Sequence, residues 1–307
     1  MRVLIVGGGG FLGRALVEDL QGRGLEVVVL DLPGRLQGLG GAVETRAFDF
    51  STRPGALGGI ARSGDRLVHL GCTSHPAASM ADPAGDAAAN VVTSVRLFQA
   101  AAEAGIGRVV FASSGGTVYG RIQSHPVDET HPTRPLSVYG VSKLAIEHYL
   151  ELLPGLSAVS LRVSNPYGRG QLAGAPVGAL ARFIQCARDG KGVEIWGDGG
   201  IVRDYIAVED VADAFHRALV DTALAPGAYN IGTGVGTDLN QAVDLVARVS
   251  GRRLQVRHAE ARAYDVPAIV LDSSRFSDAT GWRPRVRLEE GLRALWACAL
   301  RSGGGTA

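Results

Sequence analysis

Short apolar runs and stretches with helical spacing alternate along the first half of this chain. Arg2 to Val6 is an apolar run long enough for a buried strand, and from Phe11 to Leu20 the apolar positions recur at helical spacing. Gly24 interrupts this helical stretch, and Leu25 to Leu30 form a second apolar run. The repetition of this order predicts a parallel sheet that is covered by helices on both faces, with right-handed crossovers.

The alternation continues to residue 163 and then becomes irregular. Before that point, further strands are predicted at 43–50, 66–71, 108–112 and 158–163, and helices at 87–104 and 138–153. Beyond it, helices are predicted at 178–189 and 239–249, short strands at 192–200 and 227–231, and a strand followed by a helix within 202–215. We therefore predict a nucleotide domain at 1–163, to which 201–229 return, and a smaller mixed α/β lobe formed by 164–200 and 230–300.

Three glycines connect the first predicted strand to the first helix. Gly7, Gly10 and Gly13 are spaced three and three, with Phe11 and Leu12 between the last two. Glycine adopts backbone angles that are closed to other residues, and the free N–H groups at a helix start attract a pyrophosphate. The turn therefore predicts a Rossmann-type, doubly wound fold with a dinucleotide at this helix.

An acidic residue at the end of the second strand indicates which dinucleotide is bound. Asp31 stands where a carboxylate can accept hydrogen bonds from both hydroxyls of the adenosine ribose, which favours NAD. Arg35 keeps the alternative of NADP open, because it is close enough in sequence to reach a 2′-phosphate.

Composition restricts the possible partners. The 307-residue chain has a net charge of +1 with scattered charges, which argues against nucleic acid or an anionic membrane as a partner. Cys72, Cys186 and Cys298 are isolated from one another, as is typical of a reducing compartment. The first strand begins at Arg2 and no apolar run is long enough to cross a bilayer, so we expect a cytoplasmic protein. No histidine pair has metal-ligand spacing, and no metal is expected.

The segment YGVSK carries the strongest candidate for catalysis. Tyr139 and Lys143 are four residues apart on a predicted helix, so both side chains point to the same face. A cationic lysine stabilises the phenolate and should lower the tyrosine pKa from about 10. Such a tyrosine near a nicotinamide can remove a hydroxyl proton while hydride leaves the same carbon.

The order of several motifs resembles that of a known enzyme family. These motifs are GGGGFLG, HLG, SSGGTVYG, YGVSK, LRVSNPYG and RDYIAVEDVA. Together they resemble the extended short-chain dehydrogenase/reductase family, and within it the NAD-dependent nucleotide-sugar epimerases and dehydratases of the UDP-glucose 4-epimerase type. The resemblance covers nearly the whole chain.

The resemblance implies a cofactor site at matching positions. Tyr139 would be the acid/base, and Lys143 would hold the nicotinamide ribose. The other implied NAD contacts are Gly7, Gly10, Phe11, Leu12, Gly13, Asp31, Asp49, Phe50, Leu70, Gly71, Asn90 and Ser113. For Asp49, a solvated carboxylate at a strand end is an equal alternative.

The same resemblance implies a substrate site in the smaller lobe. Asn165 would bind a sugar hydroxyl or phosphate, Arg203 and Arg262 would clamp the diphosphate, and Val193 and Trp196 would frame the nucleoside base. Ile269 would lie beside the sugar. The remaining implied contacts are Ser114, Gly115 and Thr117. An ion pair of Arg203 with Asp204 or Asp210, and core packing of Trp196, stay open as alternatives.

The chain departs from the family pattern at three places. Gly115 occupies a position that is commonly Ser or Thr in the epimerases, so we predict that Ser114 supplies the catalytic hydroxyl. Gly116 and Thr117 replace the Asp–Glu pair of the 4,6-dehydratases, which argues against dehydration by that route. Ser74 stands near the position of a lysine that some hexose epimerases carry.

These observations predict an NAD-dependent nucleotide-sugar 4-epimerase that acts on a UDP- or dTDP-linked sugar through a transient 4-keto sugar. A reductase of a nucleotide-linked 4-keto sugar is the main alternative, and a non-catalytic NAD-sensing protein is a third. The family commonly dimerises through the two helices at 87–104 and 138–153, so a homodimer is expected. Leu97, Leu144 and Leu150 could serve in that interface, with core packing as an equal explanation.

Overall fold

The computed structural model describes residues 1–39, 43–172, 178–261 and 266–302. Seven strands form one parallel sheet in the order β10-β6-β5-β4-β1-β2-β3. Their bounds are β1 Arg2–Val6, β2 Glu26–Asp31, β3 Glu44–Ala47, β4 Arg66–His69, β5 Arg108–Ser114, β6 Ser157–Val163 and β10 Gly227–Ile231. The predicted doubly wound α/β fold is confirmed.

The remaining strands build two small sheets. These strands are β7 Asn165–Tyr167, β8 Val193–Trp196, β9 Val202–Ala207, β11 Gly236–Asp238, β12 Val256–Ala259 and β13 Ala268–Ile269. Strand β9 pairs with β7, β11 and β13, and β8 pairs with β12. The segment 201–229 is predicted to return to the nucleotide domain. Within it, β9 lies in a small sheet, whereas β10, which begins at Gly227, joins the large sheet.

Helices cover both faces of the large sheet and form most of the smaller lobe. They are α1 Phe11–Gly22, α2 Pro76–Ala81, α3 Pro83–Asp86, α4 Thr93–Glu103, α5 Gly115–Val118, α6 Val138–Leu152, α7 Ala179–Asp189, α8 Val208–Val220, α9 Leu239–Ser250, α10 Ser274–Thr280 and α11 Leu288–Ser302. Three 3₁₀ segments span Pro33–Arg35, Pro54–Gly59 and Arg169–Leu172, and a π-helix spans Ala87–Val92.

The large sheet separates two apolar cores, because successive side chains of a strand point to opposite faces. Val3 and Ile5 of β1 pack towards α1 and α8, whereas Leu4 and Val6 pack towards α4 and α6. Each fully buried aliphatic side chain contributes roughly 1.5–3 kcal/mol relative to exposure. A third core, formed mainly by α7, α9 and α11, stabilises the smaller lobe.

The structure corrects several predicted boundaries. The strand predicted at 43–50 is only Glu44–Ala47, so Asp49 lies beyond its end. Residues 73–86, where no element is predicted, contain α2 and α3. The helix predicted to begin at 87 is helical from Pro83 and passes through the π segment. Both missed helices start at a proline and are too short to show an apolar period.

Two residues proposed for a dimer interface belong to the monomer core. Leu97 and Leu150 are both 0 % exposed and pack in the core under α4 and α6. The exposed apolar side chains on these helical segments are instead Val92, Val141, Tyr149 and Leu152. Periodicity located the helices but did not show which apolar face the sheet covers.

Candidate active site

The candidate site lies at the carboxyl ends of the central strands, where the order of the sheet reverses at β1. The loops after β1 and β4 meet there, because a Cβ atom placed on Gly7 would lie 2.7 Å from the Gly71 nitrogen. Crevices at such a switch point are the usual ligand site of open α/β sheets.

The glycine turn leaves no space for side chains. Gly7 has a φ of +82°, which only glycine adopts without strain, and a Cβ on Gly13 would lie 2.5 Å from the Gly8 Cα. Gly10 is the N-cap of α1 and has no side chain with which to cap it. The close-packed backbone and the uncapped start of α1 fit a bound pyrophosphate.

Asp31, the residue predicted to bind the adenosine ribose, lies beside the glycine turn. Its buried carboxylate accepts hydrogen bonds from the Gly9 nitrogen at 2.9 Å and the Leu32 nitrogen at 2.8 Å. A carboxylate has about four acceptor positions, so capacity for the ribose hydroxyls is left. Arg35 is exposed, and its carbonyl oxygen accepts from Arg14 at 2.8 Å.

The other predicted cofactor positions on this side differ in their surroundings. The Phe50 ring covers Gly71, where a Cβ would lie 2.7 Å from it, and the Leu70 nitrogen donates to the Val6 carbonyl. Asp49 binds the hydroxyl and the nitrogen of Ser51, at 2.6 and 3.0 Å. Asp49 therefore hydrogen-bonds within the turn after β3, in keeping with the alternative that it is a carboxylate at a strand end.

Tyr139 and Lys143 lie together on α6, as their spacing predicts. Tyr139 is partly buried, and the Lys143 amine lies 5.6 Å from the centre of its ring. Lys143 is 4 % exposed and donates to the Ala112 carbonyl at 2.9 Å, at the end of β5. The phenol and the ammonium therefore face the same crevice.

The pKa of Tyr139 differs from the expectation. Burial raises this pKa well above its ordinary value, and the nearby Cys72 and Asp86 side chains act in the same direction, whereas hydrogen bonding with the Ser114 side chain lowers it. The predicted net lowering by Lys143 is therefore not found in this structure.

Packing explains why position 115 carries no hydroxyl. A Cβ on Gly115 would overlap the Leu271 side chain and lie 2.8 Å from the Arg162 carbonyl oxygen. A serine or threonine does not fit there without a shift of the backbone. Ser114, one residue earlier, interacts with the Tyr139 phenol. Nearby, the hydroxyl of Thr117 is buried and has no hydrogen-bond partner.

A polar cluster beside Tyr139 joins Asn90, an implied cofactor contact, to Asp86 and Ser142, which the sequence analysis missed. The Asp86 carboxylate accepts hydrogen bonds from Ser74, from Asn90 at 3.1 Å and from Ser142 at 2.5 Å. Asn90 also accepts from the Thr73 nitrogen at 2.9 Å. The four-residue spacing of Asp86 and Asn90 on a helix was the available signal, since it places both on one face.

Ser113 belongs to a second polar group, behind the site. Its hydroxyl donates to Glu147, which forms a buried ion pair with Arg162 at 2.7 Å. Arg162 donates to the Tyr119 hydroxyl at 3.0 Å, and Tyr119 donates to Asn230 at 2.6 Å. The Ser113 hydroxyl thus binds protein groups in this structure.

The predicted substrate residues are not equally placed. The Asn165 amide is close to the Gly116 backbone, since a Cβ on Gly116 would lie 3.8 Å from its nitrogen. Arg203 donates to the Val202 and Val266 carbonyls at 2.9 and 2.7 Å. Trp196 is 41 % exposed, which contradicts the alternative that it is a core residue.

Two of the predicted substrate contacts are buried in apolar cores, and a third is not among the residues that the structure describes. Val193 is 2 % exposed in the core of the smaller lobe, and Ile269 is 1 % exposed between Val118 and Leu271. Both side chains are enclosed by protein in this structure. Arg262 lies outside the described residues.

The carboxylates considered as partners of Arg203 bind backbone amides. Asp204 accepts from the nitrogens of Thr233 and Gly234, and Asp210 from those of Arg285 and Val286.

In the described ranges, no three His, Cys, Asp or Glu side chains form a group that could hold a metal ion. No helix within those ranges combines the length and hydropathy needed to span a bilayer.

Comparison with known proteins agrees with this geometry. The model of the NAD dependent epimerase/dehydratase family matches residues 3–232. A UDP-glucose 4-epimerase from Mycolicibacterium smegmatis is 35% identical over 302 residues, covering 95% of this chain and 96% of the relative. A dTDP-4-dehydro-6-deoxyglucose reductase from Escherichia coli is 30% identical over 304 residues, with the same two coverages of 95% and 96%.

A solved structure extends the likeness to three dimensions. The UDP-glucose 4-epimerase of Thermus thermophilus, in complex with NAD, superposes with a TM-score of 0.90 at 35% identity and full coverage of both chains. The predicted enzyme class and the NAD cofactor are confirmed. The chain belongs to the NAD-dependent epimerase/dehydratase family, within the extended short-chain dehydrogenase/reductases.

Proposed function

We propose that this protein is a nucleotide-sugar 4-epimerase that interconverts UDP-linked hexoses through a transient 4-keto sugar. The observation that carries this proposal is the joint placement of Tyr139, Lys143 and Ser114 at the crevice that the glycine turn also borders. The relatives named UDP-glucose 4-epimerase support the choice of a UDP-linked sugar.

Each residue has a chemical task in this proposal. Bound NAD would be the hydride carrier, which accepts hydride from the sugar C4 and returns it. Tyr139 takes the proton from the 4-hydroxyl and gives it back, and Ser114 holds the hydrogen bond to the phenol. Lys143 positions the nicotinamide ribose and keeps a positive charge near the phenolate, which favours its formation once the crevice is filled.

Other residues hold the two ligands. The glycine turn binds the pyrophosphate of NAD, and Asp31 binds its adenosine ribose. Asn165 and Arg203 bind the sugar and the diphosphate of the substrate, because forked guanidinium donors suit phosphate oxygens. Trp196 stacks on the nucleoside base. We assign 1–163, together with α8 and β10, to NAD binding and the smaller lobe to substrate binding.

A reductase of a nucleotide-linked 4-keto sugar is the second candidate. The relative from Escherichia coli with the name of such a reductase favours it, and Gly115 at the usual hydroxyl position fits a different chemistry. Both candidates use Tyr139 and Lys143. They differ in cofactor use, since a reductase consumes one reduced cofactor per turnover and an epimerase consumes none.

One experiment separates the candidates. Purified protein is incubated with UDP-glucose, UDP-galactose and their N-acetylated forms without added reduced cofactor, and the sugar C4 proton is followed by NMR. Interconversion supports the epimerase. Conversion of only a 4-keto sugar, and only with added NADH or NADPH, favours the reductase, while inactivity in both assays favours the non-catalytic NAD-binding protein.

We also propose that the protein is a homodimer. Val92, Val141, Tyr149 and Leu152 leave apolar surface exposed near α4 and α6, with Leu152 81 % exposed. Pairing of these helices with those of a second copy would bury this surface. Light scattering should give twice the chain mass, and Leu152→Glu should shift the protein towards monomer; a wild-type protein of monomer mass contradicts the proposal.

A further inference from the structure

A buried carboxylate next to the Tyr139–Lys143 pair has no role in the function proposed above. Asp86 is 5 % exposed, and Ser74, Asn90 and Ser142 donate hydrogen bonds to it. Burial of a charge is costly unless hydrogen bonds compensate for it, so three side-chain donors on one carboxylate indicate a site built to hold it.

The donors come from three separate parts of the chain. Ser74 belongs to the loop after β4, Asn90 to the π-helix at Ala87–Val92, and Ser142 to α6 between Tyr139 and Lys143. Asp86 therefore ties the loop that borders the glycine turn to the helix that carries the catalytic pair. A π-helix widens the turn locally, and such segments occur frequently at functional sites.

Asp86 also faces the same cavity as the catalytic pair. Tyr139, Lys143, Asp86 and Asn90 line this cavity, and so do Gly71 and Cys72. Burial is the main cause that opposes ionisation of the Tyr139 phenol; Cys72 and Asp86 add to it, and the hydrogen bond with Ser114 favours ionisation. Helix α2, which packs on α6, contributes only uncharged side chains.

We propose that Asp86 is a positioning residue of the active site, which orients α6 through Ser142 and places a carboxylate in the cavity that Tyr139 and Lys143 also line. Its hydrogen bonds hold the loop after β4 and α6 together, so the catalytic pair on α6 keeps its position in the crevice. Its charge also opposes ionisation of the Tyr139 phenol. This inference rests on the proposed function for its catalytic consequence, but not for its electrostatic one.

The first test compares pH profiles. Asp86→Asn keeps the size of the side chain and removes its charge, and Asp82→Asn makes the same change at an exposed residue one turn earlier. We expect Asp86→Asn to lower kcat about tenfold to hundredfold through misalignment. The acidic limb of kcat/KM should move to lower pH by about one unit or less, because a neighbouring negative charge is lost. Asp82→Asn should change neither.

Ser142→Ala separates the two parts of the proposal. It removes one hydrogen bond and leaves the carboxylate charged, so kcat should fall while the pH profile stays that of the wild type. This variant also remains informative if Asp86→Asn does not fold. An unchanged kcat in Ser142→Ala, or an unchanged pH profile in folded Asp86→Asn, overturns the proposal.

A second measurement does not depend on any sugar substrate. Each protein is titrated to alkaline pH with and without an added Tyr139→Phe substitution, and phenolate absorbance is recorded. The difference between the two curves is the phenolate absorbance of Tyr139. The Asp86→Asn protein should form the phenolate at lower pH than the wild type and the Asp82→Asn protein. Equal midpoints contradict the inference even if no UDP-sugar is converted, so its failure is distinct from a failure of the epimerase proposal.

Discussion

Two tyrosines of this protein lie beside a cation, but their surroundings are different. Tyr119 is 0 % exposed, and its hydroxyl donates to Asn230 and accepts from Arg162, which in turn is paired with Glu147. Tyr139 lies at a crevice, and Lys143 donates to a backbone carbonyl instead of the phenol. Burial raises the pKa of both, that of Tyr119 to about 12.

The difference between the two lies in what surrounds each hydroxyl. The hydroxyl of Tyr119 has its donor and acceptor partners inside the protein and is fully buried. Tyr139, the proposed catalytic residue, has Ser114 as its side-chain partner and lines a cavity. Sequence spacing alone does not make this distinction, because both tyrosines lie in motifs of the family, SSGGTVYG and YGVSK.

The strongest test of this contrast is Tyr139→Phe. Loss of the proton-transferring group should lower kcat about 10²–10⁴-fold, while NAD binding and the melting temperature stay near those of the wild type. Tyr149→Phe is the matched control, because this tyrosine is on the same helix and 51 % exposed. A Tyr139→Phe protein with full epimerase activity contradicts the assignment.

The structural tyrosine depends on its ion pair, which Glu147→Ala breaks. Glu147 is 1 % exposed, and its loss leaves the Arg162 charge buried without its carboxylate. We expect the free energy of unfolding to fall by about 3–5 kcal/mol. Glu151→Ala, one turn later and exposed, should cost less than about 0.5 kcal/mol in denaturant titrations. Similar stabilities of the two variants would refute a structural role of the pair.

Tyr119→Phe should have a smaller effect of the same kind. It leaves the Asn230 carbonyl and one Arg162 nitrogen without a partner, at a cost of about 1–3 kcal/mol of unfolding free energy. The kcat of the folded variant should remain within a few-fold of the wild type. If instead kcat falls as far as in Tyr139→Phe, the division between the two tyrosines is wrong.

The last effect, which grows as the pH falls, concerns acid stability and a histidine near Lys143. Burial, assisted by the Lys143 charge, lowers the pKa of His69 to about 3, and its ring binds Ser94 at 2.8 Å. Below pH 6.5, His69 binds a proton in the unfolded chain but stays neutral in the folded protein. The group therefore costs up to about 1.4 kcal/mol of stability per pH unit between pH 6.5 and about 3.

His69→Gln can keep the bond to Ser94 and does not titrate. Its melting temperature should fall less steeply than that of the wild type as the pH decreases from 6.5. His148→Gln, at an exposed position on α6, is the control. Parallel curves for His69→Gln and the wild type would show that His69 is not the group responsible.

The first unit of the fold was predictable because it obeys local rules. The apolar run predicts β1 at Arg2–Val6, and the structure has those bounds. The helix after the glycine turn begins at Phe11, as predicted, and β2 ends at Asp31. In this region strand period, glycine geometry and the acidic residue all indicate the same structure.

The remaining features depend on contacts between residues far apart in sequence. Glu147 and Arg162 pair across α6 and β6, and no local pattern shows that both are buried. The resemblance implies substrate contacts for Val193 and Ile269, yet Val193 is buried in the core of the smaller lobe and Ile269 in a cluster with Val118 and Leu271. Asn90 lies in a π-helix, whose wider turn changes which residues share a face of the helix. A prediction that assumes 3.6 residues per turn cannot detect this change.

The most direct test of the proposed epimerase activity follows the C4 hydrogen of the sugar. UDP-glucose deuterated at C4 is incubated with the purified protein in ordinary water, and the product is analysed by NMR. We expect UDP-galactose that retains deuterium at C4, because the same hydride leaves C4 and returns to it within one site. Loss of the deuterium to solvent, or product formation only when reduced cofactor is added, would contradict a 4-epimerase.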